Sequence, residues 1–138
     1  MTQGPGTARA IPDIVIESKD CALVLVDQQA GLAFGVGSID RQLLLNNVIA
    51  LARTATVFSM PIVASTSATK VCSGPLMPAI HAAIPEVVAI DRRNMNMWED
   101  DAARGAIVAT GRRKLIFSGL LTEACVTFPV LSARAGGI

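Results

Sequence analysis

The sequence predicts an open α/β fold in which one parallel sheet carries helices on both faces, a three-layer arrangement like the Rossmann fold. One observation behind this prediction is a set of short, purely apolar runs, which are typical of strands buried on both faces. A second is the helical periodicity of the segments between those runs. Together they give four βα units with crossovers long enough for parallel pairing. We expect the C-terminal units of a complete fold to be missing, because residue 138 falls where a fifth strand would begin.

Each element follows from its local sequence pattern. Strands are predicted at residues 22–26, 62–64, 87–90 and 114–117. Helices are predicted at residues 40–58 after an N-cap at Ser38, at 75–83, at 99–110 before a left-handed cap at Gly111, and from near Cys125 to Gly136. Residues 1–20 contain several Gly, Pro, Ser and Thr residues and predict a flexible N-terminal arm, so that residues 21–138 form the domain.

The composition excludes several classes of protein. Apolar residues make up 51% of the 138 residues, charged residues only 17%, and the net charge is +1. A disordered chain would be less apolar and more charged, and a nucleic-acid-binding surface would be basic. No apolar run approaches the ~18 residues of a membrane span. We therefore expect a soluble domain, without nucleic acid or membrane as partner, whose apolar surface is covered in a homo-oligomer.

The cysteine and histidine content bears on location and cofactors. The three cysteines have no metal-ligand spacing, and the one histidine, His81, cannot supply a histidine-rich metal site. The N-terminus lacks the apolar segment of a signal peptide. These features predict a cytoplasmic protein without a metal or other cofactor.

Three chemically active side chains follow the predicted strands. Asp27 comes directly after the first strand, Arg92 after the third, and Cys125 a few residues after the fourth. In open α/β sheets ligands bind beyond the carboxyl ends of the strands, so these groups converge on the ligand-binding edge. A thiol at a helix N-terminus has its thiolate favoured, a nearby carboxylate can accept its proton, and a cation can orient that carboxylate.

Each of these residues also has a purely structural interpretation. A lone cysteine is more often a small buried hydrophobe than a nucleophile. Asp27 by itself could cap or anchor a loop, and most arginines are solvated surface charges. Their joint placement at one edge of the sheet favours catalysis.

Three segments resemble the isochorismatase-like cysteine hydrolases, and in particular the bacterial branch whose substrates are unassigned. They are ALVLVDQQAGL around Asp27, MNMWED after Arg92, and SGLLTEACVTFPVLSA around Cys125. The resemblance implies a catalytic triad of Asp, a basic residue and Cys. Asp27 and Cys125 match that triad, and Arg92 stands where the family has a lysine, with Arg93 as the alternative one residue along.

The resemblance further implies a non-proline cis peptide, which would fall between Leu120 and Leu121 here. Such a bond would turn the amides of Leu121 and Cys125 toward a common oxyanion. The family's metal-binding nicotinamidase relatives have histidines after the first helix, and this chain has none there.

The predicted pocket draws on residues next to these motifs. We expect the glycine-rich segment 31–37 to form a lid with Phe34 as its apolar wall, and the remaining pocket candidates are Asn96, Trp98, Thr122 and Glu123. Core packing is an equal alternative for Trp98. The same glycines do not complete a dinucleotide-binding motif, because Asp40 stands where its third glycine should be.

These features predict a cysteine hydrolase acting on a small amide-like or related C–N substrate. Asp27 would take the thiol proton, Cys125 would attack the carbonyl, and Cys125 would react with iodoacetamide before Cys21 and Cys72. The alternatives are a catalytically silent oligomeric scaffold that retains the fold, and a nucleotide-binding flavodoxin-like module.

Overall fold

The structure is a computed structural model that describes residues 15–138. The arm predicted over residues 1–20 therefore lies mostly outside the described residues. Within it, Ser18–Asp20 form a single turn of 3-10 helix that leads directly into the first strand.

The sheet is parallel throughout its described strands. These are β1 (Cys21–Val26), β2 (Ile62–Ser67), β3 (Ile90–Arg92) and β4 (Lys114–Gly119), in the order β3-β2-β1-β4. Val26, at the end of β1, is level with Ser65 on β2 and with Gly119 on β4. This register brings the carboxyl ends of the strands to one edge, as the predicted fold class requires.

The helices lie between the strands in the expected alternation. They are α1 (Ala30–Ala33), α2 (Arg41–Val57), α3 (Pro78–Ala83), α4 (Asp101–Ala109) and α5 (Thr127–Ala135), with π-helical turns at Thr69–Ser73 and Thr122–Val126 and a 3-10 turn at Met97–Glu99. None of the helices formed by residues 15–138 is both long and apolar enough to cross a membrane.

Two apolar clusters, one on each face of the sheet, form the core. Successive residues of a strand point to opposite faces, and β1 is completely buried. Leu23 and Leu25 pack with residues of α2 and α3, whereas Val24 and Val26 pack with residues of α4. This confirms the α/β/α layering, because a strand covered on both sides must be apolar at every position.

Several predicted boundaries are wrong by a few residues. The third strand was expected at residues 87–90 but begins at Ile90, because Val88 is 84% exposed and its apolar run is not buried in the sheet. The N-cap of α2 is Asp40, whose side chain accepts a hydrogen bond from the amide of Leu43 at 3.0 Å, and not Ser38. Gly111 has φ +66° after α4, which confirms the left-handed position predicted there.

The strand β4 borders the sheet on its outer side. It pairs with β1 along its whole length, from Lys114 opposite Cys21 to Gly119 opposite Val26. All six of its residues are only half-buried. This edge therefore leaves backbone hydrogen-bonding groups and apolar side chains partly uncovered among the described residues.

Candidate active site

Asp27 is the first residue after β1 and is 1% exposed. Its φ of +52° lies in the left-handed region, which Asp and Asn tolerate better than most residues. Its amide donates to the carbonyl of Ser65 at 3.0 Å, and its carbonyl accepts from the amide of Gln29 at 2.8 Å. The backbone thus turns sharply at the end of the strand while remaining hydrogen-bonded.

The carboxylate of Asp27 has two buried partners, one for each oxygen. Ser65 Oγ donates to Oδ1 at 3.1 Å. Nη2 of Arg92 forms an ion pair and a hydrogen bond with Oδ2, and both side chains of that pair are essentially inaccessible to solvent. The charge of a buried carboxylate is costly without such compensation, and here the guanidinium supplies it.

Arg92 is the last residue of β3 and is 2% exposed. Its Nη1 donates to the carbonyl oxygens of Asn94 and, at 3.0 Å, of Met95. Its Nε is buried without a hydrogen-bonding partner. Arg93 is exposed, so the structure brings Arg92, and not its neighbour, to the carboxylate.

Cys125 lies in the π-helical turn Thr122–Val126 that connects β4 to α5. The last helix therefore begins after the cysteine rather than at it. Gly119 allows this turn to pack closely against the end of β4, because a Cβ there would lie 2.5 Å from Cγ2 of Val126 in the turn and 3.2 Å from the carbonyl oxygen of Val26. The thiol is 9% exposed and belongs to the apolar cluster that contains Val24 and Val26.

The environment of Cys125 favours the neutral thiol. Burial, followed by a side-chain hydrogen bond to Asp27 and the negative charge of that residue, raises the pKa of Cys125 to about 11, while Arg92 lowers it. The prediction that the thiolate would be favoured is therefore wrong for this resting arrangement, because burial and Asp27 outweigh the cation. We therefore expect Cys72, which is exposed, to be alkylated before the buried Cys125, the reverse of the order that the sequence predicts.

The raised pKa makes stability depend on pH. We expect the free energy of unfolding to fall between pH 9 and pH 11 by about 2 kcal/mol more in the wild type than in Cys125→Ser. The unfolded thiol, with an ordinary pKa of 9.0, loses its proton before the folded thiol with a pKa of about 11, so the stabilisation is complete below pH 9 and is lost as the pH rises through about 11. Urea unfolding at pH 8 and pH 11 measures it. The same loss in both proteins would contradict the expectation.

The predicted cis peptide between Leu120 and Leu121 is absent, since every peptide bond in residues 15–138 is trans. The carbonyl of Leu121 accepts from the amides of Ala124 at 3.2 Å and Cys125 at 3.0 Å. The π-helical turn therefore forms these hydrogen bonds while the peptide bond between Leu120 and Leu121 stays trans. A cis peptide bond at a non-proline residue would cost ~3 kcal/mol. The amide of Cys125 therefore donates within the turn. The prediction that it points toward an oxyanion is wrong for this structure.

The other pocket candidates are distributed around the site rather than gathered in it. Phe34 is 70% exposed beside α1, with the guanidinium of Arg41 4.9 Å from its ring centre. It lines a hollow between α1 and α2 that contains none of the three triad candidates. The segment expected to form a lid is thus partly helical, because residues 30–33 close one helical turn.

Asn96 and Trp98 have structural contacts. The amide nitrogen of Asn96 donates to Ser132 Oγ at 3.0 Å, and its side-chain oxygen accepts from the Trp98 amide at 3.0 Å, which links the 3-10 turn to α5. Trp98 packs against the apolar cluster that contains Cys125, in agreement with the core alternative. Thr122 and Glu123 are exposed in the turn that carries the cysteine.

Sequence reasoning missed three buried polar residues of this edge: Ser65, Gln28 and Gln29. Gln28 Nε2 donates to Ser118 Oγ at 3.1 Å, and its Oε1 is buried without a partner. Gln29 Oε1 accepts from the amide of Ser67 at 2.8 Å and fixes the end of β1 to the end of β2. Their positions in the chain could have indicated them. Gln28 and Gln29 directly follow Asp27, and Ser65 lies in β2, level with the end of β1.

Among residues 15–138, no group of three or more His, Cys, Asp or Glu side chains is placed to hold a metal ion. The chemistry that the arrangement itself offers is proton transfer between a thiol and a buried, ion-paired carboxylate.

Comparison with known proteins gives matches over most of the chain. Residues 21–138 match the family model of the isochorismatase domain. The chain is 40% identical over 127 residues to the probable hydrolase YcaC of Escherichia coli strain K12, a match that covers 91% of this chain and 61% of the relative. It therefore spans less than two thirds of the length of that protein.

Solved structures have the same architecture. The crystal structure of E. coli YcaC, described as an octameric hydrolase of unknown specificity, matches with a TM-score of 0.87 and 40% identity over 92% of this chain and 63% of that chain. The structure of YcaC from Pseudomonas aeruginosa, with hexane-2,5-diol and covalent acrylamide, matches with a TM-score of 0.85 and 37% identity. The match covers 89% of this chain and 61% of that chain. The MAR1 ribonuclease of Caenorhabditis elegans is 16% identical and shows a likeness of fold alone, with a TM-score of 0.78 over 89% of this chain and 62% of that chain.

Proposed function

Because this chain belongs to the isochorismatase family, we propose that it is a cysteine hydrolase that cleaves a small amide-like or related C–N substrate through a thioester on Cys125. The observation that carries the proposal is the buried ion pair of Asp27 with Arg92 near a buried thiol, Cys125, whose pKa the Asp27 carboxylate raises. Nucleophile, base and orienting group thus form a connected chain.

The first half-reaction forms the thioester. Asp27 takes the proton of Cys125 as the sulfur attacks the substrate carbonyl, and a carbon–sulfur bond forms. When the tetrahedral intermediate collapses, the carbon–nitrogen bond breaks and the nitrogen leaves with the proton held by Asp27. The pKa of about 11 keeps the thiol protonated until substrate is present, so proton transfer accompanies attack.

The second half-reaction uses water. Asp27, again a carboxylate, takes a proton from a water molecule that attacks the thioester carbonyl, and the carbon–sulfur bond breaks. The sulfur recovers the proton and the carboxylic acid is released. Arg92 and Ser65 hold the two oxygens of Asp27 in place through both steps.

A silent scaffold explains these contacts less well. Burying a carboxylate and a guanidinium contributes little to stability compared with apolar residues of the same volume. A protein that had lost its chemistry would have no use for that pair beside a thiol. The covalent acrylamide described for P. aeruginosa YcaC also supports a reactive nucleophile in the family, since acrylamide adds to nucleophilic side chains such as thiols.

Trapping of the acyl-enzyme tests the proposal. We expect acid-quenched protein, after incubation with 4-nitrophenyl esters of short carboxylic acids, to gain the mass of one acyl group on the peptide that contains Cys125. The experiment is run in a Cys72→Ala background, because the exposed Cys72 would otherwise acylate without catalysis. An adduct that persists in Cys125→Ala, or no adduct at all, would refute the thioester.

We also propose that the hydrolase works in the cytoplasm as a homo-oligomer on a small molecule. E. coli YcaC is described as octameric. In this chain the exposed side chains of Phe128 and Leu131 on α5 are apolar surface that a second copy would cover. Native mass spectrometry measures the number of copies, and a monomer at micromolar concentration would contradict the proposal.

A further inference from the structure

A hollow lies between α3 and the ends of β2 and β3, and we call it the α3 hollow. It has a volume of about 450 Å³, which is within the range of small-molecule sites. Thr66 of β2 and Asp91 of β3, which are level in the strand register, form its base. Its apolar walls come from α3 and from the segments before and after that helix: Pro75, Leu76, Pro78, Val87, Val88 and Ala89.

Two threonines hold the carboxylate of Asp91 at the base of the α3 hollow. Its Oδ2 accepts from Thr69 Oγ1 at 2.9 Å, and its Oδ1 accepts from Thr66 Oγ1 at 3.2 Å. These hydrogen bonds, that of Thr69 foremost, hold the pKa of Asp91 below its ordinary value of 3.8, so the group is charged at neutral pH. Within residues 15–138 it has no ion-pair partner, although Lys70 is near enough to favour the charged form slightly. A positioned carboxylate is thus available to a ligand.

The α3 hollow is separate from the triad and from the last strand. All of its lining residues lie between residues 66 and 91, and none of the triad candidates is among them. Its strand β3 is at the opposite end of the strand order from β4. Asp91 and Arg92 are neighbours on β3, and successive residues of a strand point to opposite faces. Arg92 reaches Asp27 whereas Asp91 lines the hollow, so the inference does not rest on the proposed hydrolase activity.

We propose that the α3 hollow binds a small organic cation of the primary alkylammonium class, with its charged group on Asp91 and its apolar body against the walls. An ammonium group donates hydrogen bonds, and the carboxylate accepts them with a compensating charge. Val88 is 84% exposed, and the hydrocarbon part of such a ligand would remove its side chain from water. A neutral ligand of the same shape would gain the apolar contacts but not the ion pair, and an anion would be repelled.

Calorimetric titration of the purified protein with 4-phenylbutylammonium at pH 8 tests the proposal, because the carboxylate and the amine are both charged at that pH. We expect saturable binding of one ion per chain, roughly tenfold tighter than that of 4-phenylbutanol, which has the same apolar body without the charge. The affinity for the ion should fall as the NaCl concentration rises. Equal affinity for the alcohol would overturn the proposal. So would failure of the ion to bind, as expected if a second copy of the chain covers the hollow.

Variants at exposed positions separate a specific site from diffuse attraction. Asp91→Asn should weaken binding of the ammonium ion by roughly tenfold and leave binding of the alcohol unchanged, since it removes the charge but keeps an acceptor oxygen for the threonines. The matched control is Glu86→Gln, which makes the same change in charge at an exposed acid outside the lining of the hollow.

The apolar wall has a variant of its own. Val88→Ser should weaken binding of both the ion and the alcohol by about threefold, because it removes apolar contact area at an exposed position. Circular dichroism checks that each variant is folded. Equal weakening of ion binding by Asp91→Asn and Glu86→Gln would overturn the proposal, and so would unchanged binding of both ligands by Val88→Ser.

Discussion

Replacing Cys125 with alanine should reduce the rate of substrate hydrolysis at least about a thousandfold, because the thioester cannot form without the sulfur. The loss should appear in kcat, because the bond between the sulfur and the substrate forms in the chemical step and not on binding. Release of the carboxylic acid or the amine from a panel of small carboxamides provides the measurement.

The matched control is Cys72→Ala, which removes an exposed thiol and should leave the rate unchanged. Circular dichroism and the urea midpoint show whether Cys125→Ala remains folded. Retention of more than a tenth of the wild-type rate in a folded Cys125→Ala protein would eliminate the nucleophilic role and favour the scaffold alternative.

Replacing Arg92 with methionine should lower the free energy of unfolding by about 3–5 kcal/mol. The change leaves the carboxylate of Asp27 buried without its ion-pair partner, and both side chains of the pair are almost completely inaccessible. Urea denaturation at pH 7 measures the loss. The same change in the exposed pair of Arg104 with Asp101 should cost no more than about 1 kcal/mol, because solvent screens those charges.

A double variant identifies the cause of that loss. Asp27→Asn combined with Arg92→Met removes both charges, so it should be more stable than Arg92→Met alone. If the double variant is instead destabilised, relative to the wild type, by the sum of the two single effects, the two side chains do not interact in the folded protein.

Much of the fold can be predicted because burial leaves a direct record in the sequence. The run Cys21–Val26 is apolar at every position since both of its faces are covered, and α2 was located almost to the residue by its periodic stripe. The strand β3 was misplaced because the apolar run 87–90 lies mostly before it and is not buried, with Val88 84% exposed. A strand at the edge of a sheet buries fewer of its side chains, so its amino-acid composition is less apolar and predicts its position less accurately.

The site divides in the same way. The rule that ligand-binding groups follow parallel strands located Asp27 and Cys125, and the structure brings both together with Arg92. The protonation of the thiol could not be read from the sequence, because it depends on how burial, a carboxylate and a guanidinium balance in three dimensions. The role of Ser65 as a partner of Asp27 depends on strand register, which no local pattern encodes.

The left-handed backbone of Asp27 limits how this position can change. Glycine and asparagine adopt its φ of +52° readily, whereas alanine or glutamate would add a steric penalty of roughly 1–2 kcal/mol to any effect of the altered side chain. Glutamate, the usual conservative replacement, is therefore a poor probe of the base here, and asparagine is the informative one. The same backbone restriction limits which amino acids can replace Asp27 during evolution, because few neutral residues adopt this conformation without strain.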